Sequence, residues 1–338
     1  MPLNLAINGF GRIGRLVLRA WFERGCPDCV HWSGINDLTD AATLAHMLRY
    51  DSTHGRFPGQ VSYEDQQITI EGRTIPLSFE PDPARLAWQS QGVEVVLECT
   101  GHFRSRAAAE KHLQAGASRV IIAAAPFDPV DFLVVYGFNH EQIKEEYRIV
   151  SSVSCTTHAL VPPLMVLDEH LGIESMMVTE VHAVTSDQHA LDHVHRDLRR
   201  ARACGSNIIP TTTSALGALR QLFPALADRM EGHSIRVPTP NVAMVEMTIQ
   251  ARRSIDAEAL NQLFLEASGS RWQGVMAWTD EFLVSADFIH EPWSCVFDAT
   301  QTRSLGNMHQ VVLWYDNEWG YANRLLDLCL YMAKSGWR

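Results

Sequence analysis

The sequence predicts an α/β protein of two domains, the first wound around a parallel sheet and the second an α+β arrangement on a mostly antiparallel sheet. Three observations predict it. At 338 residues the chain is long enough for two domains of roughly 100 to 200 residues each. Its N-terminal half alternates short apolar runs with stretches of helical spacing, the signature of parallel winding. Beyond Cys155, which stands in the hydroxyl-rich turn Ser154-Cys155-Thr156-Thr157, the pattern shifts to strands separated by longer polar loops.

Leu3 to Ile7 reads as a short buried strand, and Ile13 to Glu23 as a helix with apolar residues at Ile13, Leu16, Val17, Ala20 and Trp21. Between them lies Gly9-Phe10-Gly11-Arg12-Ile13-Gly14, and a second strand, Val30 to Ile35, ends at Asn36-Asp37. A Gly turn between strand and helix, with an acidic residue after the next strand, predicts a Rossmann-type dinucleotide-binding domain. The glycines admit the pyrophosphate and the helix N-terminus supplies N–H groups. Asp37 accepts from a ribose diol and repels a 2′-phosphate, which favours NAD over NADP. The expected cofactor residues here are Gly9, Gly11, Arg12, Ile13, Gly14, Asp37 and Thr100.

The winding continues with strands over Val93 to Cys99, Val120 to Ala124, Phe132 to Tyr136 and Tyr147 to Ser152, and with a helix over Ala107 to Ala115. A helix is expected from about His158 to Leu171. Strands follow at Met176 to Val181 and Ile235 to Ile249, and a closing helix carries Leu325, Leu326, Leu328, Leu330 and Met332. The predicted domains are 1–154, joined by a C-terminal helix over 320–338, and 155–319.

Composition limits the function. A net charge of -11 opposes binding to nucleic acid or to an acidic membrane surface. No run approaches the roughly 20 apolar residues of a membrane span, and Met1 to Leu5 lacks the form of a signal peptide, so the expected location is cytoplasmic. Seven cysteines make an odd count and fit no disulfide framework. Cys26-Pro27-Asp28-Cys29 reads as a loop, and His189, His193 and His195 sit among Asp187, Asp192 and Asp197 in a polar stretch, so no metal is expected. Arg196, Arg199, Arg200 and Arg202 form a small positive island, able to hold an anion or to be paired within itself.

Cys155 has the makings of a nucleophile. It lies near the expected start of a helix, where N–H groups and the dipole favour a thiolate. His182, at the end of an apolar, β-branched run, is the candidate base, able to lower the thiol pKa and to move protons at a hemithioacetal oxygen. A dinucleotide site and such a thiol in one chain point to aldehyde oxidation through a covalent thioester.

Over essentially its whole length the chain resembles the phosphorylating glyceraldehyde-3-phosphate dehydrogenase family. The resemblance is carried by Ile7-Asn8-Gly9-Phe10-Gly11-Arg12-Ile13-Gly14-Arg15, Asn36-Asp37-Leu38-Thr39-Asp40, Tyr50-Asp51-Ser52-Thr53-His54-Gly55, Ser154-Cys155-Thr156-Thr157, Arg236-Val237-Pro238-Thr239-Pro240-Asn241 and Tyr315-Asp316-Asn317-Glu318-Trp319-Gly320-Tyr321. It implies that Cys155 attacks the aldehyde of D-glyceraldehyde 3-phosphate, that His182 takes the proton as hydride leaves for NAD, and that inorganic phosphate cleaves the thioester to 1,3-bisphosphoglycerate. It implies Thr185, Asp187 and Arg236 as the site for the substrate's own phosphate. Ser154, Thr156, Arg200 and Thr213 are implied for inorganic phosphate, and Asn317 for the nicotinamide carboxamide. The segment from Val184 to Asn207 is similar to a loop that lines a neighbouring subunit's cofactor pocket, which implies a homotetramer.

The chain departs from that family at Val153, His158 and Ser214, and within Ala123-Ala124-Ala125. Gln301-Thr302-Arg303 and the stretch from Asn317 to Arg324 resemble a related branch, erythrose-4-phosphate dehydrogenase, which gives 4-phosphoerythronate and releases its acyl group to water. A third reading is a weakened homologue that binds NAD as a regulatory protein.

Overall fold

The computed structural model describes residues 1–337 and divides into two compact units, Met1–Val153 with the segment from Ala322 onward, and Ser154–Tyr321. The first unit opens with β1 (Leu3–Asn8), α1 (Arg12–Glu23), β2 (Val30–Asn36), α2 (Ala41–Arg49) and the two-residue pair β3 (Tyr50–Asp51) and β4 (Gly55–Arg56). It continues through β5 (Val61–Glu64), β6 (Gln67–Ile70), β7 (Arg73–Ser78), β8 (Val95–Glu98), α3 (Arg106–Gln114), β9 (Arg119–Ile122), β10 (Phe132–Leu133) and β11 (Ile149–Ser151). Apart from β3 and β4, which pair with each other, the strands form one sheet of nine in the order β10-β11-β9-β8-β1-β2-β7-β6-β5. It is parallel from β10 to β7, and β5, β6 and β7 pair antiparallel. Leu5, Ile7, Val95, Val96, Leu97, Val120, Ile121 and Ile122 are fully buried, as apolar runs in a sheet covered on both faces should be.

Two sequence expectations change here. The run Phe132 to Tyr136 is a strand for only two residues. The antiparallel extension β5–β7 was not foreseen: its inward residues, Ile68 and Ile70 in β6 and Ile75 and Leu77 in β7, form runs of only two apolar positions each, and Pro76 stands in the second.

The second unit contains α4 (Cys155–Leu171), β12 (Ile173–His182), β13 (Ile209–Thr211), α5 (Ala215–Leu222), β14 (Met230–Arg236), β15 (Ala243–Ala251) and α6 (Ala257–Gly269). It is completed by β16 (Met276–Thr279), β17 (Cys295–Asp298), β18 (Arg303–Leu305) and β19 (Met308–Tyr315). The sheet order is β13-β14-β12-β15-β19-β17-β16, with β18 on β19. Pairing is antiparallel except for β12 with β14 and β16 with β17. Along β15 the inward residues Val245, Met247 and Ile249 are fully buried, and each contributes about 1.5–3 kcal/mol of apolar transfer free energy. The predicted strand Ile235 to Ile249 is two strands, β14 and β15. Pro238 and Pro240 interrupt the ladder between them, since proline has no N–H to donate.

The last helix, α7, spans Trp319–Lys334. It is shorter than the expected 320–338, and Arg338 lies outside the described residues. The predicted helix from His158 begins three residues earlier, at Cys155, because Ser154 caps it: its side chain accepts from the Thr157 N–H.

Candidate functional site

In the first unit the sequence-predicted residues gather where β1, β2 and β8 end. Gly9 follows β1 with φ of 91°, and a Cβ there would lie 2.7 Å from the Thr100 backbone nitrogen. A Cβ on Gly14 would lie 2.4 Å from the Gly9 carbonyl oxygen, so the turn and the first turn of α1 close only on glycine. Gly11 is the N-cap of α1 and no side chain caps the helix. By contrast, Asp40, Ser105, Ser154 and Asp256 cap α2, α3, α4 and α6 with side-chain oxygens. The α1 N-terminus, with its positive dipole end, therefore faces a cavity of about 320 Å³ lined by Gly9, Gly11, Asp37, Leu38, Thr100, His102 and Phe103.

Asp37 has a second task that the spacing alone did not reveal. Its Oδ2 accepts from the Phe10 N–H at 2.7 Å and its Oδ1 from the Leu38 N–H at 2.7 Å, so it braces the Gly turn as well as lining the cavity. Arg12 is held by Asp51, with Nη1 to Oδ2 at 2.8 Å. Asp51 also accepts from the Thr53 and His54 N–H groups. Burial works to raise its pKa, yet these donors and Arg12 bring it down to about 2. Ile13 lies within α1.

Beneath the cavity is a buried network that sequence reasoning missed. Asn36 Nδ2 donates to Asn8 Oδ1 at 2.7 Å, and Asn8 Nδ2 donates to Glu98 Oε2 at 2.5 Å. The Trp88 indole N–H donates to His112 Nδ1 at 3.0 Å, which leaves the His112 proton on Nε2, 3.0 Å from Glu98 Oε2. Glu98 also accepts from the Thr100 N–H and hydroxyl. Polar residues closing three parallel strands were the available signal, since ligands bind at the carboxyl ends of such strands.

In the second unit the register of the sheet assembles the thiol site. His182 pairs with Arg236 across β12 and β14 and with Ala243 across β12 and β15, and Ala243 pairs with Tyr315. Arg236, His182 and Tyr315 thus stand in one row. Cys155 is the first residue of α4 and half-buried. Its Sγ lies 3.7 Å from His182 Nε2 and 3.9 Å from Thr156 Oγ1. Nδ1 of His182 is 2.8 Å from Arg236 Nη1 and 2.7 Å from the Ala183 carbonyl oxygen.

The electrostatics differ from the sequence expectation of a lowered thiol pKa. Burial pushes the Cys155 thiol up to about 12, and the charge of Glu180 adds to it. Burial and then Arg236 hold His182 down at about 4. At neutral pH the pair is a thiol beside a neutral imidazole, which in the tautomer whose Nδ1–H donates to the Ala183 carbonyl oxygen leaves Nε2 free to take the thiol proton as the sulfur attacks.

Thr185 donates to Asp187, and Arg200 Nη1 reaches Asp187 Oδ2 at 2.8 Å. Arg200 also donates to Thr211 Oγ1 at 2.9 Å and to the Thr212 carbonyl at 3.0 Å. Burial opposes ionisation of Asp187, but Thr185 and Arg200 hold its carboxyl below the usual range. Two residues from the separately implied phosphate sets, Asp187 and Arg200, are thus paired directly. The Arg island is partly paired within itself, Arg202 with Asp192 at 3.1 Å and Arg200 with Asp187. Ser154 Oγ lies 2.8 Å from Thr157 Oγ1, and Thr213 Oγ1 accepts from the Ala215 N–H at 3.3 Å. Ser214 is the N-cap of α5. His158 is buried edge-on to Tyr321, with ring centroids 5.7 Å apart. Val153 is fully buried at φ of 44°, an uncommon conformation for a β-branched residue.

Asn317 precedes α7, and its buried Oδ1 has no hydrogen-bond partner among the described residues. Asp316 fixes the turn around it, accepting from the Trp319 N–H at 2.7 Å, the Asn241 side chain at 2.8 Å and the His290 N–H at 2.7 Å. Glu180, buried beside the thiol and the imidazole, was missed altogether. Its signal was its place two residues before His182 on one strand, which puts both on the same face.

Comparison with known proteins is consistent along the chain. The model for the glyceraldehyde 3-phosphate dehydrogenase NAD binding domain matches residues 3–106, and that for its C-terminal domain matches residues 154–317. A glyceraldehyde-3-phosphate dehydrogenase of Pseudomonas aeruginosa is 46% identical over 333 residues, covering 98% of this chain and 99% of that protein. One of Xanthobacter flavus is 44% identical over 337 residues, covering 99% of this chain and 100% of that protein. With the glycine-built cavity of the first unit and the thiol–imidazole pair of the second, these matches show that the chain belongs to the glyceraldehyde 3-phosphate dehydrogenase family and is an NAD-dependent dehydrogenase of that type.

Proposed function

We propose that the chain oxidises D-glyceraldehyde 3-phosphate through a thioester on Cys155, which inorganic phosphate converts to 1,3-bisphosphoglycerate. The observation that carries this reading is the 3.7 Å approach of His182 Nε2 to Cys155 Sγ. Residues 1–154 with the closing helix would bind NAD, and 155–319 would carry the chemistry. Bound NAD supplies the hydride acceptor. Gly9, Gly11, Ile13 and Gly14 shape the pyrophosphate turn, Asp37 takes the ribose diol, and Arg12 and Thr100 complete the pocket. The orphaned Asn317 Oδ1 suits the N–H₂ of a carboxamide.

Cys155 attacks the aldehyde carbon while His182 accepts the thiol proton. His182 passes that proton to the new alkoxide, giving the hemithioacetal hydroxyl, and takes it back as hydride departs. Arg236, Thr185 and Asp187 would position the substrate's phosphate, and Arg200, Ser154 and Thr213 the attacking one, through charge-assisted bonds, while the Thr156 hydroxyl, implied for the same site, is bonded to Glu180 instead.

Assembly as a homotetramer is supported by the exposed apolar side chains of Leu191, Val194, Leu198 and Ile208, which are 72–92% exposed in and beside the loop likened to a subunit contact. Cytoplasmic residence is supported by seven cysteines that form no disulfide among the described residues. The test is NADH formation from glyceraldehyde 3-phosphate with inorganic phosphate, set against erythrose 4-phosphate. Faster oxidation of the four-carbon aldehyde without phosphate would replace this reading with 4-phosphoerythronate formation.

A further inference from the structure

Glu180 is the one buried carboxylate at the thiol that the oxidation does not use. It is 1% exposed, and along β12 it alternates inward with Val178 and His182. Its Oε1 takes the hydrogen bond of the Thr156 hydroxyl. The same oxygen lies 3.3 Å from the Tyr315 hydroxyl and 4.0 Å from His182 Nε2. Tyr315 also reaches Thr156 Oγ1 at 2.9 Å. Burial works to raise the Glu180 carboxyl, but His182, Arg236 and the Thr156 and Ser234 hydroxyls hold it below the usual range, so it is ionised at neutral pH.

This arrangement bears on what attacks the thioester. A hydroxyl has one proton to donate, and an ionised carboxylate can only accept. The Thr156 proton therefore points at Glu180 and is withheld from a phosphate oxygen. The carboxylate's charge also repels a phosphate dianion. Water makes the opposite demand, since it needs a base. His182, held down at about 4 by burial and Arg236, is a weak base whose Nε2 already faces the sulfur at 3.7 Å. The Thr156 hydroxyl, 3.9 Å from Cys155 Sγ, links the sulfur to the remaining base.

We propose that Glu180 sets the fate of the Cys155 thioester, disfavouring inorganic phosphate and acting as the base that admits water, so that 3-phosphoglycerate is released beside the acyl phosphate. The proposal rests on the thioester reading. The water oxygen bonds to the acyl carbon while its proton passes to the Thr156 oxygen, and Thr156 hands its own proton to Glu180 Oε1. The tetrahedral oxyanion collapses, the carbon–sulfur bond breaks with its electron pair on sulfur, and the thiolate is reprotonated by the same path in reverse. The acid product loses its remaining proton to solvent. No further oxidant is required, because the acyl group is already at the carboxylic level.

The test compares the full-length enzyme with Glu180→Gln and Glu180→Thr. The first-turnover burst of NADH reports acylation, intact-protein mass reports acyl-Cys155, and phosphate-free turnover in ¹⁸O-water reports hydrolysis. The burst and the adduct should persist in both variants while hydrolysis falls by about 10² or more, and Glu180→Thr should lower the KM for phosphate. Unchanged hydrolysis with the adduct present overturns the proposal alone. Absence of the adduct in the unsubstituted enzyme overturns the thioester reading and the proposal together.

Discussion

Cys155 shows how two local influences compete at a single sulfur. Its seat at the start of α4 favours a thiolate, while burial and Glu180 push the thiol up to about 12, and burial wins. Alkylation of Cys155 by iodoacetamide in the NAD-free protein should therefore climb by about tenfold per pH unit between roughly pH 7 and pH 10; a plateau near neutrality would reveal a thiolate. Cys155→Ser should abolish oxidation. His182→Asn should lower the rate by about 10² to 10⁴ while sparing NAD binding, and an undiminished NADH rate in either variant would remove that residue from the chemistry. Cys155 and His182 were legible because a thiol in a hydroxyl-rich turn and a histidine closing an apolar strand are rare side chains in telling places. Glu180 was passed over because a glutamate in a strand reads as an exposed face, although its place two residues before His182 set both on one side of β12. Only contacts with Thr156 and Tyr315, the latter 135 positions away, bury it.

At the scale of elements, the Gly turn and α1 separate folding from ligand approach. Gly14→Ala places a Cβ 2.4 Å from the Gly9 carbonyl and should lower thermal stability and NAD affinity together. Gly11 has φ of -70° and nothing within 4 Å of its would-be Cβ. Gly11→Ala should leave the melting temperature nearly unchanged, within about 0.5 kcal/mol, and weaken NAD alone, as calorimetric titration of both variants would show. This turn was readable because its function fixes its spacing. The strands β14 and β15 were merged in the sequence reading because the segment between them is short, Val237 to Val242, with a β-branched valine at each end. Pro238 and Pro240 were the overlooked break. The β5–β7 extension was missed for a different reason: its alternation, Ile68 with Ile70 and Ile75 with Leu77, lasts only two apolar positions per strand, and its place is set by pairing onto β2 through β7.

For the molecule as a whole, His182 and Asp51 are the two groups with the largest resolved displacements in the response to acid, beside other carboxyls held low such as Glu180 and Asp187. His182 has a folded pKa of about 4 against 6.5 for a free imidazole. Its contribution is present above 6.5 and is lost as pH falls from there through 4, about 3 kcal/mol in all. Asp51 falls from 3.8 to about 2, so its contribution, about 2 kcal/mol, is present above roughly 4 and lost as pH falls through 2. Urea unfolding should therefore weaken in two stages, and His182→Asn should flatten only the upper one. If that variant kept the full decline between pH 6.5 and 4, another group would be responsible.

The ends of the two sheets have a consequence for how the protein behaves when concentrated. The nine-stranded sheet stops at the two-residue β10 on one side and at β5, whose last three residues Ser62, Tyr63 and Glu64 face solvent, on the other. The second sheet stops at β13, three residues with Pro210 at the centre, and at the four-residue β16. Short margins, a carboxylate and a missing amide are poor templates for another chain's backbone. Among the described residues, neither sheet presents a long flat row of amides onto which a fibril could grow.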